Sequence, residues 1–201
     1  MGWNPGTEEE FFSKEGLIEK FDIARIGKAS SIFDEKKLLW LNSQHIKAKK
    51  VEEIHESFLK FYPDRIVNGF DIKKITALIH GRVEKMSDIP QMVSFLMELD
   101  EKYSPELFIN KKNKTTIEWS LAVLKDLESI LSVVVTWDYN GIYGAVNSYA
   151  ESKGSKIGAI MWPLRIAISG LAVTPGGAIE IAELLGKPES IRRILLAIRK
   201  L

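Results

Sequence analysis

Cysteine is absent from all 201 residues, which excludes disulfides and thiolate metal ligands and fits a reducing compartment. Histidine is scarce. His45, His55 and His80 stand apart with no HExxH-type spacing, so metal catalysis has no support. No apolar run approaches the ~20 residues that a bilayer-spanning helix needs. The opening MGWNPGTEEEFF lacks the basic-then-apolar order of a signal peptide, and Met1-Gly2 lacks the Ser/Thr of a myristoylation signal. The expected location is therefore the cytoplasm, with no membrane partner. GxxxxGK[ST], GxGxxG and the nucleophile elbow are missing too. Gly176-Gly177 precede a helix, but no Lys-Ser/Thr follows to hold a phosphate, and no carboxylates pair in an apolar setting. By these absences the chain displays no catalyst.

What is present is an ordinary globular balance, 45% hydrophobic and 27% charged. Net charge is +1 but uneven. From Ser152 to Leu201 eight bases face three acids, a net +5, leaving −4 on the rest. A basic end on an acidic remainder fits either a polyanion partner or a solvated helix surface.

Almost every stretch reads as helix. Asp34 is a candidate N-cap for FDEKKLLWLNSQHIKAKK, in which Trp40 is expected in the core. Val51, Ile54, Phe58 and Phe61 share a face ending at Pro63. Ile72, Ile75, Leu78 and Ile79 share another. A helix restarts after Ser87-Asp88, and Ile117, Leu121, Leu124 and Leu127 recur at helical spacing. LSVVVTW is rich in β-formers, but its flanks predict a helix end or an extended link. At the C-terminus Pro175 and Pro188 are expected to start two short helices, the first ending at Gly186. The expected fold is an all-α array of short helices. Seams fall near Lys49-Lys50 and between Met97 and Ser104, and neither is rich enough in Gly/Ser to swing freely.

One segment stands out: MWPLRIAISGLAVTPGG, from Met161 to Gly177. It places Arg165 in an apolar run after a Trp-Pro pair and closes on a sharp turn. Alone, the segment gives only a helix-end arginine and a capped helix start.

The wider pattern resembles a family. The first 42 residues carry Gly2, Trp3, Asn4, Pro5, Glu10, Phe12, Phe21, Arg25, Lys28, Phe33, Asp34, Lys37, Leu38, Trp40 and Asn42. These match the segment that follows the catalytic ATP loop in bacterial glutamyl-tRNA synthetases. Pro163-Leu164-Arg165, Ala167, Ser169-Gly170, Thr174-Pro175-Gly176 and Leu184-Leu185-Gly186-Lys187 match that family's C-terminal pattern. The likeness covers the whole chain, and the middle follows on hydrophobic pattern alone. The HIGH and KMSKS-type ATP motifs of the catalytic half are missing. The resemblance thus implies a C-terminal part of such a ligase, unable to activate glutamate alone. It implies no cofactor of its own, ATP and Mg serving the parent, and a monomer that binds tRNA(Glu).

The resemblance also implies three regions. Residues 1–49 would be the end of the stem-contact region, 50–97 a first anticodon-binding helical subdomain and 98–201 a second. Arg165 would face the anticodon, where a planar, permanently charged donor set suits base edges. Thr174, Pro175, Gly176 and Gly177 would bring a hydroxyl cap and free backbone N–H groups to the bases. Arg82, in ALIHGRVEKMSDIP, would read the third anticodon base, although Gly81 replaces the family's usual Pro. Lys36, Asn42 and Lys47 would touch the inner corner of the tRNA. Two other readings fit the bare residues: a lysyl-type class I synthetase, and a helical protein-interaction module without RNA.

Overall fold

A computed structural model describes residues 2–27 and 32–201; Lys28 of the N-terminal motif lies outside them. Local signals set the helices. The Ser13 hydroxyl caps α1 (Lys14–Lys20), and the Asp34 carboxylate caps α2 (Glu35–Ala48) by accepting from the Lys37 N–H at 3.0 Å. A first group follows: α3 (Val51–Leu59), α4 (Asp64–Gly69), α5 (Ile72–His80) and α6 (Ile89–Met97). A second comprises α7 (Ile117–Ser132), α8 (Tyr139–Ser152), α9 (Ile157–Ser169), α10 (Ala178–Leu185) and α11 (Lys187–Lys200). β-Pairing among the described residues is limited to two isolated bridges, Trp3–Ile26 and Asn110–Thr115. The fold is all-α, and no described helix is long and apolar enough to cross a membrane.

The apolar stripes point inward. Ile54 and Phe58 of α3 and Ile75 and Ile79 of α5 are fully buried, joined by Ile89 and Val93 of α6. Leu124, Leu127 and Leu131 of α7 meet Ile142, Ile160, Leu164 and Ile194. Each such side chain contributes about 1.5–3 kcal/mol on leaving water. Leu131 and Ser132 end α7, the helix-end alternative for LSVVVTW, and Val133 to Trp137 follows as a link of turn and bends with Val135 standing in solvent.

α9 runs straight through Pro163, which a helix interior normally rejects. Proline has no N–H, so the carbonyl four residues back, on Ala159, loses its helical donor. The Trp119 indole supplies the replacement, donating to Ala159 O at 3.2 Å. Gly170 then ends α9 in the left-handed conformation, φ +70°, with Tyr103 and Leu99 packed against the space where a Cβ would stand.

Arg193 of α11 binds the two groups together. Its guanidinium is 1% exposed and donates to Phe95 O at 2.7 Å and Leu96 O at 3.2 Å on α6. It also donates to Ile168 O on α9 at 2.7 Å and to Glu189 at 2.6 Å. A buried charge with this many partners costs little, whereas the same charge stripped of them is strongly unfavourable.

Two sequence expectations fail. Trp40 is 43% exposed rather than core, because α2 turns Ile46, not Trp40, inward. Pro175 does not start a helix: α10 begins at Ala178, and Pro175 lies in the turn before it. The segment before α3 buries little; Ile18, Ile23, Ile32 and Phe33 are all exposed.

Candidate nucleic-acid interface

Arg82 follows the end of α5, where the backbone of Gly81 has φ −74°. Any residue adopts that conformation, so the glycine imposes nothing special here. From this corner the Arg82 guanidinium donates to Thr174 O at 3.0 Å, 92 positions along the chain. The bond joins the first helical group to the turn before α10. Arg82, Thr174 and Pro175 line an open groove of about 340 Å³, completed by Gln91, Met92, Leu171 and Val173. Exposed Val173 and Leu171 give this groove an apolar rim beside its charge.

Arg165 approaches the same corner from α9. Burial lowers its pKa, the neighbouring Arg82 guanidinium lowers it further, and Glu180 opposes both. Its Nε is buried without a hydrogen-bond partner. Two guanidiniums from different helical groups therefore converge, and one keeps an unused donor. Unpaired buried donors are rare in native structures, which marks this one for attention.

The turn is built differently from the expected hydroxyl cap. Thr174 is buried, and its Oγ1 donates to Gly176 O at 2.7 Å. That hydroxyl shapes the turn and is spent inside it. No side chain caps α10. Gly176 packs on α5, where an added Cβ would stand 3.2 Å from Leu78 Cδ2. Gly177 makes room for Glu180, whose Oε2 lies 2.5 Å from the place of a Cβ. Both close neighbours are the far ends of flexible side chains, and a carboxylate sits over the helix start. Glu180 is a functional candidate that the sequence pattern did not single out; its signal was an acid three residues into a helix beside an arginine motif.

The stem-contact candidates divide. On α2, Lys36 and Lys47 are eleven residues apart, within about 20° of one face, whereas Asn42 is turned about 120° away. Lys36 and Lys47 are exposed. The Asn42 amide donates to Glu84 O, crossing to the first helical group, and there His80 Nε2 donates to Ile46 O at 2.8 Å in return. Asn42 is therefore occupied by a seam of the fold. Buried His55 is also structural, its Nδ1 meeting Thr76 Oγ1 at 2.7 Å.

Fold and groove together define an all-α module in which Arg82 lines an apolar-rimmed groove between two helical groups, with Arg165 near it. The profile of the anticodon-binding-domain family matches residues 47–198, and the chain belongs to that family. Similar curated proteins include the glutamate–tRNA ligase of Clostridium tetani (strain Massachusetts / E88), 44% identical over 201 residues. That of Clostridium acetobutylicum is 41% identical over 202 residues. Both alignments cover 100% of this chain and 41% of the relative. The chain spans about two fifths of the curated relatives it matches. Among solved structures, a glutamate–tRNA ligase from Elizabethkingia meningosepticum aligns with TM-score 0.75 and 26% identity, covering 100% of this chain and 39% of its own. The glutamate–tRNA synthetase of Elizabethkingia anophelis aligns with TM-score 0.77 and 26% identity, covering 98% and 38%.

Proposed function

We propose that this chain is the anticodon-reading part of a glutamate–tRNA ligase and binds tRNA(Glu), while the chemistry of aminoacylation is carried out by a catalytic region with ATP and Mg. The observation that carries this reading is the convergence of Arg82 and Arg165 on the turn at Thr174-Pro175. Splayed bases need planar donors for their edges and apolar surface for their faces. The groove offers both in Arg82 and the Leu171–Val173 rim, and the Arg165 guanidinium lies near Arg82. Residues 50–97 and 98–201 act as two reading subdomains. Residues 1–49, with Lys36 and Lys47 on one face of α2, serve the tRNA stem. The exposed apolar side chains of that segment pack against the rest of the ligase.

Arg82 is assigned the third anticodon base. Glutamate and glutamine anticodons differ there, C against G. Cytosine turns O2 and N3 acceptors toward a donor, whereas guanine is larger and presents donors of its own. A well-placed guanidinium separates the two by roughly 1–3 kcal/mol. Fluorescence titration with tRNA(Glu) and a variant changed only at that base tests the idea. The chain should prefer the C-ending anticodon, and Arg82→Gln should reduce that preference roughly tenfold or more. Equal binding of both RNAs by the unmodified chain would refute the assignment. A salt titration separates this reading from a purely protein-binding module, because phosphate contacts weaken steeply with ionic strength and an apolar protein interface does not.

A further inference from the structure

The loop leading into α7 carries three lysines within four residues, Lys111, Lys112 and Lys114, on a fixed backbone. Its base is closed both ways: Asn110 N–H donates to Thr115 O at 3.2 Å, and Thr115 N–H to Asn110 O at 3.0 Å. Thr115 is buried and its hydroxyl donates to Phe108 O at 2.7 Å. The Asn110 side chain accepts from Asn113 N–H at 2.9 Å. Lys114 is held at φ +55°, the left-handed region that a side chain rarely occupies.

All three lysines are exposed, as is Lys156 just before α9. Among the described residues, none of the four lies within 4.0 Å of a carboxylate. Glu118, the acid nearest in sequence, forms no ion pair with any of the four. Like charges gathered on an ordered turn repel one another, and a polyanion relieves that repulsion.

The placement of the turn says which polyanion. Asn113 Oδ1 lies 2.9 Å from where a Cβ on Gly158 would stand, so the tip rests on the first turn of α9. Gly158 and Arg165 are seven residues apart. That is within about 20° of the same face and about 10 Å along the axis. α9 exposes one stripe here: Gly158, Met161, Trp162 and Arg165 are partly exposed, while Ile160, Leu164, Ile166 and Ala167 are buried. The lysine turn and Arg165 mark the two ends of that stripe. Ten ångströms is the rise of about three stacked nucleotides.

We propose that Lys111, Lys112, Lys114 and Lys156 form a phosphate-contact site for the RNA strand whose bases enter the Arg82–Arg165 groove. The proposal rests on the RNA-binding reading above. Lysine is a compact charge on a flexible stem, suited to phosphate rather than to base edges, so this site positions the strand and does not read it.

The test is a triple variant, Lys111→Gln, Lys112→Gln and Lys114→Gln, titrated across salt with two stem-loops. One carries the glutamate anticodon, the other a single change at its third base. Affinity for both should fall together, roughly tenfold or more, with their ratio preserved. The slope of log affinity against log salt should become shallower by about 2, since each phosphate on a single strand contributes about 0.7. A control with the same loss of charge elsewhere, Lys60→Gln, Lys73→Gln and Lys102→Gln, should keep most of the affinity. An unaltered slope in the lysine-turn variant, or equal losses in both variants, would overturn the proposal. If the unmodified chain bound neither stem-loop, the RNA-binding reading itself would fall; if it bound and the lysine-turn variant matched it, only the lysine site would.

Discussion

Glu180 puts a negative charge in the first turn of α10, beside Gly177. It folds back over Gly177 and faces Arg165, whose guanidinium it helps keep charged. Without it, two guanidiniums and a helix N-terminus would attract any phosphate. Under the RNA-binding reading, its carboxylate would repel phosphate and still admit a neutral base edge. Glu180→Gln should therefore bind all RNAs several-fold more tightly and discriminate less, with a salt slope steeper by about 1. Unchanged salt dependence would count against this role. Glu189 plays a different part. Its bonds to Arg192, and then to Arg193, hold its pKa down at about 2, from an ordinary 4.5. A depressed carboxylate stabilises the fold fully above the unfolded value, and the gain is lost as pH falls toward the folded value. The chain should lose stability from this group as pH falls from about 4.5 toward 2, by about 1 kcal/mol after solvent screening. Urea unfolding followed across that range should give a flatter profile for Glu189→Gln, which starts lower because Arg193 has lost its counter-charge.

At the scale of the element, α9 depends on a residue outside itself. Trp119→Phe should cost about 1–2 kcal/mol, by leaving Ala159 O buried without a donor. In a Pro163→Ala background the new backbone N–H can serve that carbonyl, so the same change should cost less. A double-mutant cycle by chemical denaturation measures the difference, and strict additivity would show that the two donors do not share the acceptor. This dependence explains what the sequence could and could not disclose. α3, α5, α6 and α7 were legible because their apolar residues recur at helical spacing, and that spacing is a local property. α9 was not, because an interior proline signals a break and its compensation comes from 40 positions away. The turn before α10 was half legible. Pro175 and the glycines marked a turn, but that Thr174 points inward, and that Glu180 folds back over Gly177, depends on neighbours packed in three dimensions.

For the molecule as a whole, the convergence of Arg82 and Arg165 was foreseeable only through family likeness, since 83 positions separate them. The seam at Asn42 and the lysine turn were not foreseen, because nothing nearby in sequence names Glu84 or Gly158 as a neighbour. The segment before α3 also exposes more apolar surface than a self-sufficient module needs, with Ile18 at 68% and Ile23 at 75%. Ile18→Ser with Ile23→Ser should reduce self-association in sedimentation runs and leave the melting temperature of the helical groups unchanged. A fall of several degrees would mean that these side chains support the fold. Several of the bonds that join the parts share one habit, although Lys74 and Glu183 also pair through their side chains at 2.9 Å. Arg193 reaches Phe95, Leu96 and Ile168 only at their main-chain oxygens, as Asn42 does with Glu84 and His80 with Ile46. A main-chain oxygen is present whatever side chain a mutation installs. Tolerance to substitution should therefore be lopsided across each seam: position 193 nearly immovable, and positions 95, 96 and 168 restricted by fit alone. Descendants of this sequence could redraw one side of these junctions without renegotiating the other.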